Sequence, residues 1–239
     1  MDVALEASRQ GGKCYSLGPL VHNDAVVAYL CEKGIAVAET LDEVETGSVI
    51  VIRSHGVSPR VLEEARLRGL RVFDATCPLV GRVQSLARQL REEGYELVVF
   101  GDRTHPEVLG ILGWVGEKAT VIGSPEEARS FAAVKKLGVV AQTTKSEEDF
   151  YSVAAELLPK GREIRVFNTV CEATKKRQQA ALELCGKVDI MIVVGDKKSS
   201  NTRTLATMCQ RTGVKTIQVE SARDLSPDWF PAGCRVGVT

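Results

Sequence analysis

Short apolar runs alternate with amphipathic segments of helical periodicity along most of the chain. The runs are rich in Val and Ile, which is typical of strands buried in a sheet. Strands are predicted at 49–53, 71–74, 96–100, 120–123, 138–141, 164–167, 189–194, 214–219 and 235–238. Between them, Ser58-Pro59 and Ser124-Pro125 each place a capping residue before a proline, the pattern of a helix start. The alternation predicts an α/β fold with mostly parallel sheets and helices on their faces.

The sequence contains an internal repeat. The segment VFDATC, which ends at Cys77, matches VFNTVC, which ends at Cys171, 94 positions later. At the same offset, FGDRTH, which ends at His105, aligns with VGDKKS, which ends at Ser199. Each copy therefore has a strand, a cysteine that opens a helix, a second strand, and a polar loop 28 residues after the cysteine. Such a repeat predicts duplicated small α/β domains.

A third copy is predicted at the N-terminus, with residues 20–23 as its polar loop. Counting back 28 residues from His22 falls before Met1, so the cysteine of that copy is expected outside the sequence. The last copy stops at Thr239, at the point where the middle copy continues into a further polar loop. We predict three units, residues 1–76, 77–168 and 169–239.

Composition excludes several classes of protein. The chain has 31 basic and 31 acidic residues, so it lacks the charge excess of a nucleic-acid or membrane-surface binder. No apolar stretch approaches the roughly 20 residues needed to cross a bilayer. Residues 1–12 are predicted to be an amphipathic helix rather than a signal peptide. Seven scattered cysteines do not form a disulfide framework, which predicts a cytoplasmic protein with reduced thiols.

All three histidines of the chain, His22, His55 and His105, follow apolar strands and precede helices. Ligands of parallel α/β sheets bind at the carboxyl ends of the strands, where helix N-termini also point. A single histidine in this setting is better explained as a solvated loop or capping residue. Because all three share the setting, we interpret them as parts of a common site.

Hydroxyl and amide side chains occur at two further helix starts, in Thr143-Thr144 and in Ser199-Ser200-Asn201. Backbone N–H groups and the helix dipole favour anions at such positions. Together with the histidines, these groups suit a diphosphate, although the sequence has no phosphate-binding P-loop motif. Ordinary helix capping by Thr144 or Ser200 is the alternative.

Glu107 follows His105 on the first turn of a predicted helix. It is placed to donate a proton if burial or an anionic ligand keeps its carboxyl protonated, although it is also explained by complementation of the helix dipole. Cys77 and Cys171 each open a helix, where the dipole stabilises a thiolate. The remaining cysteines are interpreted as core or surface fillers, with Cys14 in a polar turn, Cys234 near a strand start, and Cys31, Cys185 and Cys209 on helices.

Seven segments resemble the successive signatures of one family, the 4-hydroxy-3-methylbut-2-enyl diphosphate reductases, which are LytB-type iron–sulfur reductases. In chain order they are LVHND, SHGVSP, FDATCPLV, HPEVLGILG, AQTTKS, CEATKKRQ and VVGDKKSSNT. The resemblance covers essentially the whole chain. It implies an oxidoreductase of the non-mevalonate route of isoprene biosynthesis, with a trefoil of three similar α/β domains around a central cavity.

The resemblance also implies roles for individual residues. Cys77 and Cys171 match ligands of a [4Fe–4S] cluster, one iron of which acts as a Lewis acid on the substrate hydroxyl. The residues matched to diphosphate binding are His22, His55, Ser199, Ser200 and Asn201. His105 and Thr143 match residues near the hydroxyl, and Glu107 matches the proton source as the C–OH bond breaks. The products would be isopentenyl and dimethylallyl diphosphates, with electrons supplied by ferredoxin or flavodoxin.

Two segments of the family pattern do not occur in this sequence. A G-F-C-x-G-V segment with the first cluster cysteine is expected before Asp2, and a serine-bearing loop is expected after Thr239. The resemblance therefore implies a member shortened at both ends. Two alternatives stay open, namely a redox-inactive diphosphate-binding remnant of the family and a zinc hydrolase that uses Cys77, Cys171 and His105.

Overall fold

The structure is a computed structural model, and it describes residues 2–21 and 23–239. These residues form eleven β-strands and nine α-helices. The strands are β1 (Cys14–Leu17), β2 (Ile35–Ala38), β3 (Val49–Ile52), β4 (Arg71–Asp74), β5 (Glu96–Phe100), β6 (Ala119–Ile122), β7 (Val134–Ala141), β8 (Gly161–Val166), β9 (Ile190–Val194), β10 (Lys215–Val219) and β11 (Val236–Val238). The helices are α1 (Asp2–Ser8), α2 (Asp24–Glu32), α3 (Pro59–Leu67), α4 (Pro78–Glu92), α5 (Pro106–Trp114), α6 (Pro125–Arg129), α7 (Glu147–Leu157), α8 (Glu172–Cys185) and α9 (Ser200–Arg211).

The strands of the described residues form three parallel sheets that share one topology. The first has the order β2-β1-β3-β4, the second β6-β5-β7-β8 and the third β10-β9-β11. In each, the first strand of the sheet in sequence lies between the next two, and every recorded pairing is parallel. The predicted α/β class with parallel sheets and duplicated units is confirmed.

The chain divides into two compact units. The large unit contains residues 1–142 and 152–169 and carries the first two sheets, and the small unit contains residues 143–151 and 170–239 and carries the third. The strands of each sheet come from one of the three segments predicted from the sequence. The division into three domains with those boundaries stays a prediction.

The central strands β3, β5 and β9 are apolar along nearly their whole length because both faces of these sheets are covered there. All four residues of β3 are 0% exposed, and Leu97, Val98 and Val99 of β5 are at most 1% exposed. In the small unit, Met191 and Val193 of β9 are also fully buried. Strands covered on both faces consist of continuous apolar runs. Such strands can therefore be predicted from the sequence.

The strands β1 and β2 were not predicted from the sequence. Their sequences, CYSL and IAVA, contain small or polar residues and lack a long apolar run. They become strands because β1 pairs with the buried β3, and β2 then pairs with β1. The prediction that Cys14 lies in a polar turn is therefore wrong, since Cys14 begins β1 and is 3% exposed. Burial raises the pKa of its thiol.

Several local predictions are confirmed. The N-terminal segment forms α1, with Ala4 and Ala7 on its buried face. The hydroxyl of Ser58 accepts a hydrogen bond from the backbone N–H of Val61, so that Ser58 caps α3. Ser124 caps α6 in the same way. Among the described residues, no helix combines the length and the apolar character needed to cross a membrane.

Leu97→Ala should destabilise the protein by about 2–5 kcal/mol, because it removes a buried side chain and leaves a cavity in the second sheet. Leu67→Ala is the matched control, since Leu67 is 83% exposed and its loss should change the free energy of unfolding by less than about 0.5 kcal/mol. Urea unfolding followed by circular dichroism measures both. Equal effects of the two substitutions would contradict the assigned core.

Candidate functional site

Cys77 opens α4 at the carboxyl end of β4. It occupies the N-cap position, Pro78 is the first helical residue, and the thiol makes no capping hydrogen bond. The backbone N–H of Cys77 donates to the carbonyl oxygen of Ser54 at 3.0 Å, which places the cysteine beside the loop that follows β3. The thiol is half-buried and lies at a helix N-terminus.

His55, His105 and Glu107 come together in the large unit. The rings of the two histidines are 5.2 Å apart between centroids and meet edge to face at 88°. His105 is the N-cap of α5, and its Nδ1 accepts a hydrogen bond from the backbone N–H of Glu107 at 3.2 Å. A neutral His105 ring therefore carries its proton on Nε2. His105 is 7% and Glu107 1% exposed, so the acid predicted as a proton donor is almost fully buried.

The loop that bears His55 packs closely against α4 and α5. Gly56 has φ +68°, and a Cβ at this position would lie 2.6 Å from Nε2 of Gln84 on α4. A Cβ at Gly110 on α5 would lie 3.1 Å from the same nitrogen. The Gln84 amide thus lies where the segments that carry Cys77, His55 and His105 meet. It also lines a cavity of about 240 Å³ together with Cys77.

Arg53 is a further candidate for anion binding that the sequence analysis missed. It directly follows β3 and lines a cavity of about 580 Å³ together with Ser58, Arg60 and Leu109. Burial lowers the pKa of its guanidinium, and its Nε has no hydrogen-bond acceptor within the described residues. Arginine nonetheless stays charged at neutral pH. The sequence signal that could have indicated Arg53 is a basic residue directly after the apolar run of β3.

Cys171 repeats the geometry of Cys77 in the small unit. It is the N-cap of α8, is half-buried, and makes no capping hydrogen bond with its thiol. Its backbone N–H donates to the carbonyl oxygen of Thr143 at 2.9 Å. The predicted site residue Thr143 is 6% exposed. The internal repeat therefore extends from the sequence to the hydrogen bond that anchors each site cysteine.

The hydroxyl-rich segment of the small unit lies at the start of α9. The N-cap of this helix is Ser199, whose Oγ accepts from the backbone N–H of Thr202 at 3.4 Å. Ser200 is 4% exposed, and its Oγ accepts a hydrogen bond from the hydroxyl of Thr144 at 3.0 Å. Asn201 follows on the same turn and accepts from the guanidinium of Arg177 at 3.4 Å.

The alternative that Ser200 caps a helix is wrong. Ser199 caps α9, and the hydroxyl of Ser146 accepts a hydrogen bond from the backbone N–H of Asp149 at the start of α7. The hydroxyls of Thr144 and Ser200 instead bond to each other within the small unit. His22, which the sequence places in a similar strand-to-helix loop, lies outside the described residues.

The filler cysteines are distributed as predicted, except for Cys14. Cys31, Cys185 and Cys209 lie on helices, and Cys234 precedes β11. Cys185 and Cys209 pack in the core of the small unit. Burial, aided by a hydrogen bond with Cys185, raises the pKa of Cys209 to about 12, so this thiol stays protonated at neutral pH. A protonated, buried thiol is a poor metal ligand.

The donor chemistry of Cys77 and Cys171 fits an iron–sulfur group, whose usual protein ligands are thiolates. The two cysteines belong to different compact units. Within residues 2–21 and 23–239, no group of three His, Cys, Asp or Glu side chains is arranged to hold a metal ion.

These features define a parallel α/β protein whose polar side chains and thiols lie at the carboxyl ends of strands and the N-termini of helices. The sequence matches the LytB protein family over residues 1–239. The chain therefore belongs to the LytB family, and the resemblance inferred from seven motifs is confirmed.

Two curated relatives carry the same name. A protein of Geobacter metallireducens named 4-hydroxy-3-methylbut-2-enyl diphosphate reductase is 48% identical over 237 residues, which are 99% of this chain and 84% of the relative. A protein of Pelobacter propionicus with the same name is 46% identical over the same shares. By family, the chain is an enzyme of the reductase class.

Two solved structures are similar to the chain. The E-1-hydroxy-2-methyl-but-2-enyl-4-diphosphate reductase of Plasmodium falciparum aligns with a TM-score of 0.91 at 28% identity, covering 100% of this chain and 78% of that one. A structure of (E)-4-hydroxy-3-methyl-but-2-enyl diphosphate reductase, described as the terminal enzyme of the non-mevalonate pathway, aligns with a TM-score of 0.70 at 38% identity, covering 100% and 86%.

Gly56→Ala should destabilise the protein more than Gly47→Ala. Both glycines have positive φ, so each substitution should cost about 1–2 kcal/mol of backbone strain. Gly47 has open space around it, whereas the new Cβ at Gly56 would lie 2.6 Å from Nε2 of the buried Gln84 and 3.1 Å from Cγ2 of Thr76, so that a side chain must move at a further cost of about 1 kcal/mol. Denaturant unfolding of the two variants measures the difference. Equal free energies of unfolding would show that the His55 loop is not tightly packed against α4.

Proposed function

We propose that this chain catalyses the reductive removal of the hydroxyl group of 4-hydroxy-3-methylbut-2-enyl diphosphate, giving isopentenyl and dimethylallyl diphosphates. The observation that carries the proposal is the convergence of the Cys77, His55 and His105–Glu107 segments in the large unit. This convergence occurs in a chain 48% identical to a relative named for that reaction.

Each unit offers groups suited to a diphosphate. In the large unit, His55 lies in the loop after β3, and Arg53 adds a positive charge that lines a neighbouring cavity. In the small unit, Ser199, Ser200 and Asn201 lie on the first turn of α9, where the helix dipole favours an anion. His22 is proposed for the same role on the family resemblance. Hydroxyls, imidazoles and a helix N-terminus bind phosphate without a P-loop.

Cys77 and Cys171 would hold the iron–sulfur group, for which we propose the [4Fe–4S] type. Such a cluster supplies electrons and Lewis acidity when it is bound. Each of the two cysteines begins a helix, and its thiol makes no capping hydrogen bond. Ferredoxin or flavodoxin is proposed as the electron donor. The net reaction consumes two electrons and two protons, and it releases the hydroxyl as water.

Glu107 is proposed to supply the proton that leaves with the hydroxyl. Its carboxyl is 1% exposed, so water competes little with a substrate for it. The backbone bond from Glu107 N–H to His105 Nδ1 fixes the first turn of α5, which orients the imidazole and the carboxyl together. His105 and, in the small unit, Thr143 are proposed to lie near the substrate hydroxyl.

Cys77→Ser and Cys171→Ser should each remove most of the iron and sulfide that the chain takes up on anaerobic reconstitution, because serine is a poor ligand for the cluster. Cys31→Ser is the control, since Cys31 is exposed and lies in the last turn of α2, away from the helix start. Iron and sulfide analysis with optical spectroscopy measures the uptake.

Metal and sulfide analysis, together with assays of diphosphate binding and turnover, separates the alternatives. Tight zinc binding without sulfide would overturn the iron–sulfur proposal and favour a Cys/His zinc hydrolase. Diphosphate binding without iron uptake or turnover would favour a redox-inactive remnant.

Glu107→Gln should lower turnover about 10²–10⁴-fold, the usual contribution of a positioned proton donor. The amide preserves the shape of the side chain, so iron content should not change. Glu92→Gln, at an exposed position of α4, should leave the rate unaltered. The assay follows product formation by the reconstituted protein with a chemical reductant. Full turnover by the Glu107 variant would exclude this residue as the proton source.

A further inference from the structure

Gln84 and Gln178 occupy equivalent positions of the internal repeat. Each follows its site cysteine by seven residues, or about two helical turns, so the two side chains project from corresponding points of α4 and α8. Both are buried, at 4% and 3% exposed. Glutamine is mostly exposed in proteins, and a buried polar side chain is normally retained for a hydrogen bond. Matched burial therefore indicates a shared role.

Gln178 fixes the loop that carries Thr143. Its Nε2 donates to the carbonyl oxygen of Lys145 at 3.1 Å. In the same loop, the carbonyl of Thr143 accepts the backbone N–H of Cys171 at 2.9 Å. Loop 143–146 is thus tied to α8 at two points, the helix start and a residue two turns further along.

Gln84 lies against the equivalent loop of the large unit, but its amide does not make the hydrogen bond that Gln178 makes. The N–H of Cys77 donates to the Ser54 carbonyl, as that of Cys171 does to Thr143. Two residues beyond Ser54 lies Gly56, the counterpart of Lys145. Gln84 Nε2 lies against Gly56, where a Cβ would be 2.6 Å away, yet it has no hydrogen-bond partner in the described part of the chain.

A buried N–H group without an acceptor destabilises the fold. The same position filled by an apolar side chain of equal size would avoid that cost. The polar residue is therefore better explained by a second arrangement of the loop, in which the N–H gains an acceptor. The expected acceptor is the carbonyl of Gly56, because Gly56 corresponds to Lys145, whose carbonyl accepts from Gln178.

We propose that Gln84 and Gln178 are positioning residues that lock the two site loops, 54–58 and 143–146, to the helices that begin at the site cysteines. The Gln178 lock is closed in the structure. The Gln84 lock closes when a diphosphate binds beside His55, by moving the Gly56 carbonyl onto the Gln84 amide. The closure at Gln84 rests on the proposed diphosphate binding, whereas the hydrogen bond at Gln178 does not.

Gln178→Met tests the closed lock, with Gln179→Met as the matched control because Gln179 is exposed and bonds only along its own helix, to Glu183. Methionine keeps the length of the side chain and removes the donor. Amide hydrogen exchange in residues 143–146 should accelerate at least tenfold in the Gln178 variant and stay unchanged in the control. Unchanged exchange in the Gln178 variant would overturn this half of the proposal.

Gln84→Met tests the open lock, with Gln89→Met on the exposed face of α4 as the control. The melting temperature should stay the same or rise, because no hydrogen bond is lost and a buried orphan donor is removed. The Kd for inorganic pyrophosphate, measured by calorimetry, should weaken about tenfold, the equivalent of one hydrogen bond. Lowered stability with unaltered binding would overturn the proposal, because it would show that Gln84 only fills space.

The two measurements separate failure of this inference from failure of the proposed function. If the unaltered chain does not bind pyrophosphate, the proposed substrate class and the Gln84 half fail together. The exchange experiment on Gln178 needs neither ligand nor metal, and it still decides the other half. Pyrophosphate binding lost in His55→Ala and weakened in Gln84→Met would link the lock to the histidine loop.

Discussion

A backbone hydrogen bond anchors each site cysteine to the loop beyond the neighbouring strand. In the large unit it joins Cys77 N–H to the carbonyl of Ser54, and in the small unit it joins Cys171 N–H to that of Thr143. The bond can form in both places because adjacent parallel strands end at the same edge of a sheet. It also fixes the start of a helix, so the thiol lies at the positive end of the helix dipole. The same backbone hydrogen bond therefore sets the position of both site cysteines at their helix starts.

The packing around these anchors limits which residues the loops can contain. Gly56 needs both a positive φ and the absence of a Cβ, because the amide of Gln84 occupies the space beside it. In the small unit, Gly195 has φ +153° and a Cβ there would lie 2.5 Å from Thr202 Oγ1, at the start of α9. Gly56 and Gly195 therefore allow polar side chains to pack closely against the backbone, and they do not serve flexibility.

Most strands and several helix starts were predictable because their signals are local. Buried central strands such as β3 and β9 read as uninterrupted apolar runs, and Ser58 and Ser124 cap helices through contacts within three residues. The strands β1 and β2 were missed because their short sequences become strands only through pairing with β3 and with each other. The position of Cys14 was predicted wrongly because this residue begins β1. The burial of Gln84 could not be predicted from neighbouring residues, since a single polar residue on an amphipathic helix is usually exposed.

The sequence by itself determined the α/β class, the internal repeat, the family and most of the candidate site residues, because periodicity, capping and motifs are carried by neighbouring residues. Only the tertiary structure decided that His55 and His105 meet edge to face, that Glu107 is buried, and that Ser199 rather than Ser200 caps α9. It also showed that repeat-related glutamines contact both site loops. These features arise between segments far apart in the chain, where packing, and not local preference, sets the distances between atoms.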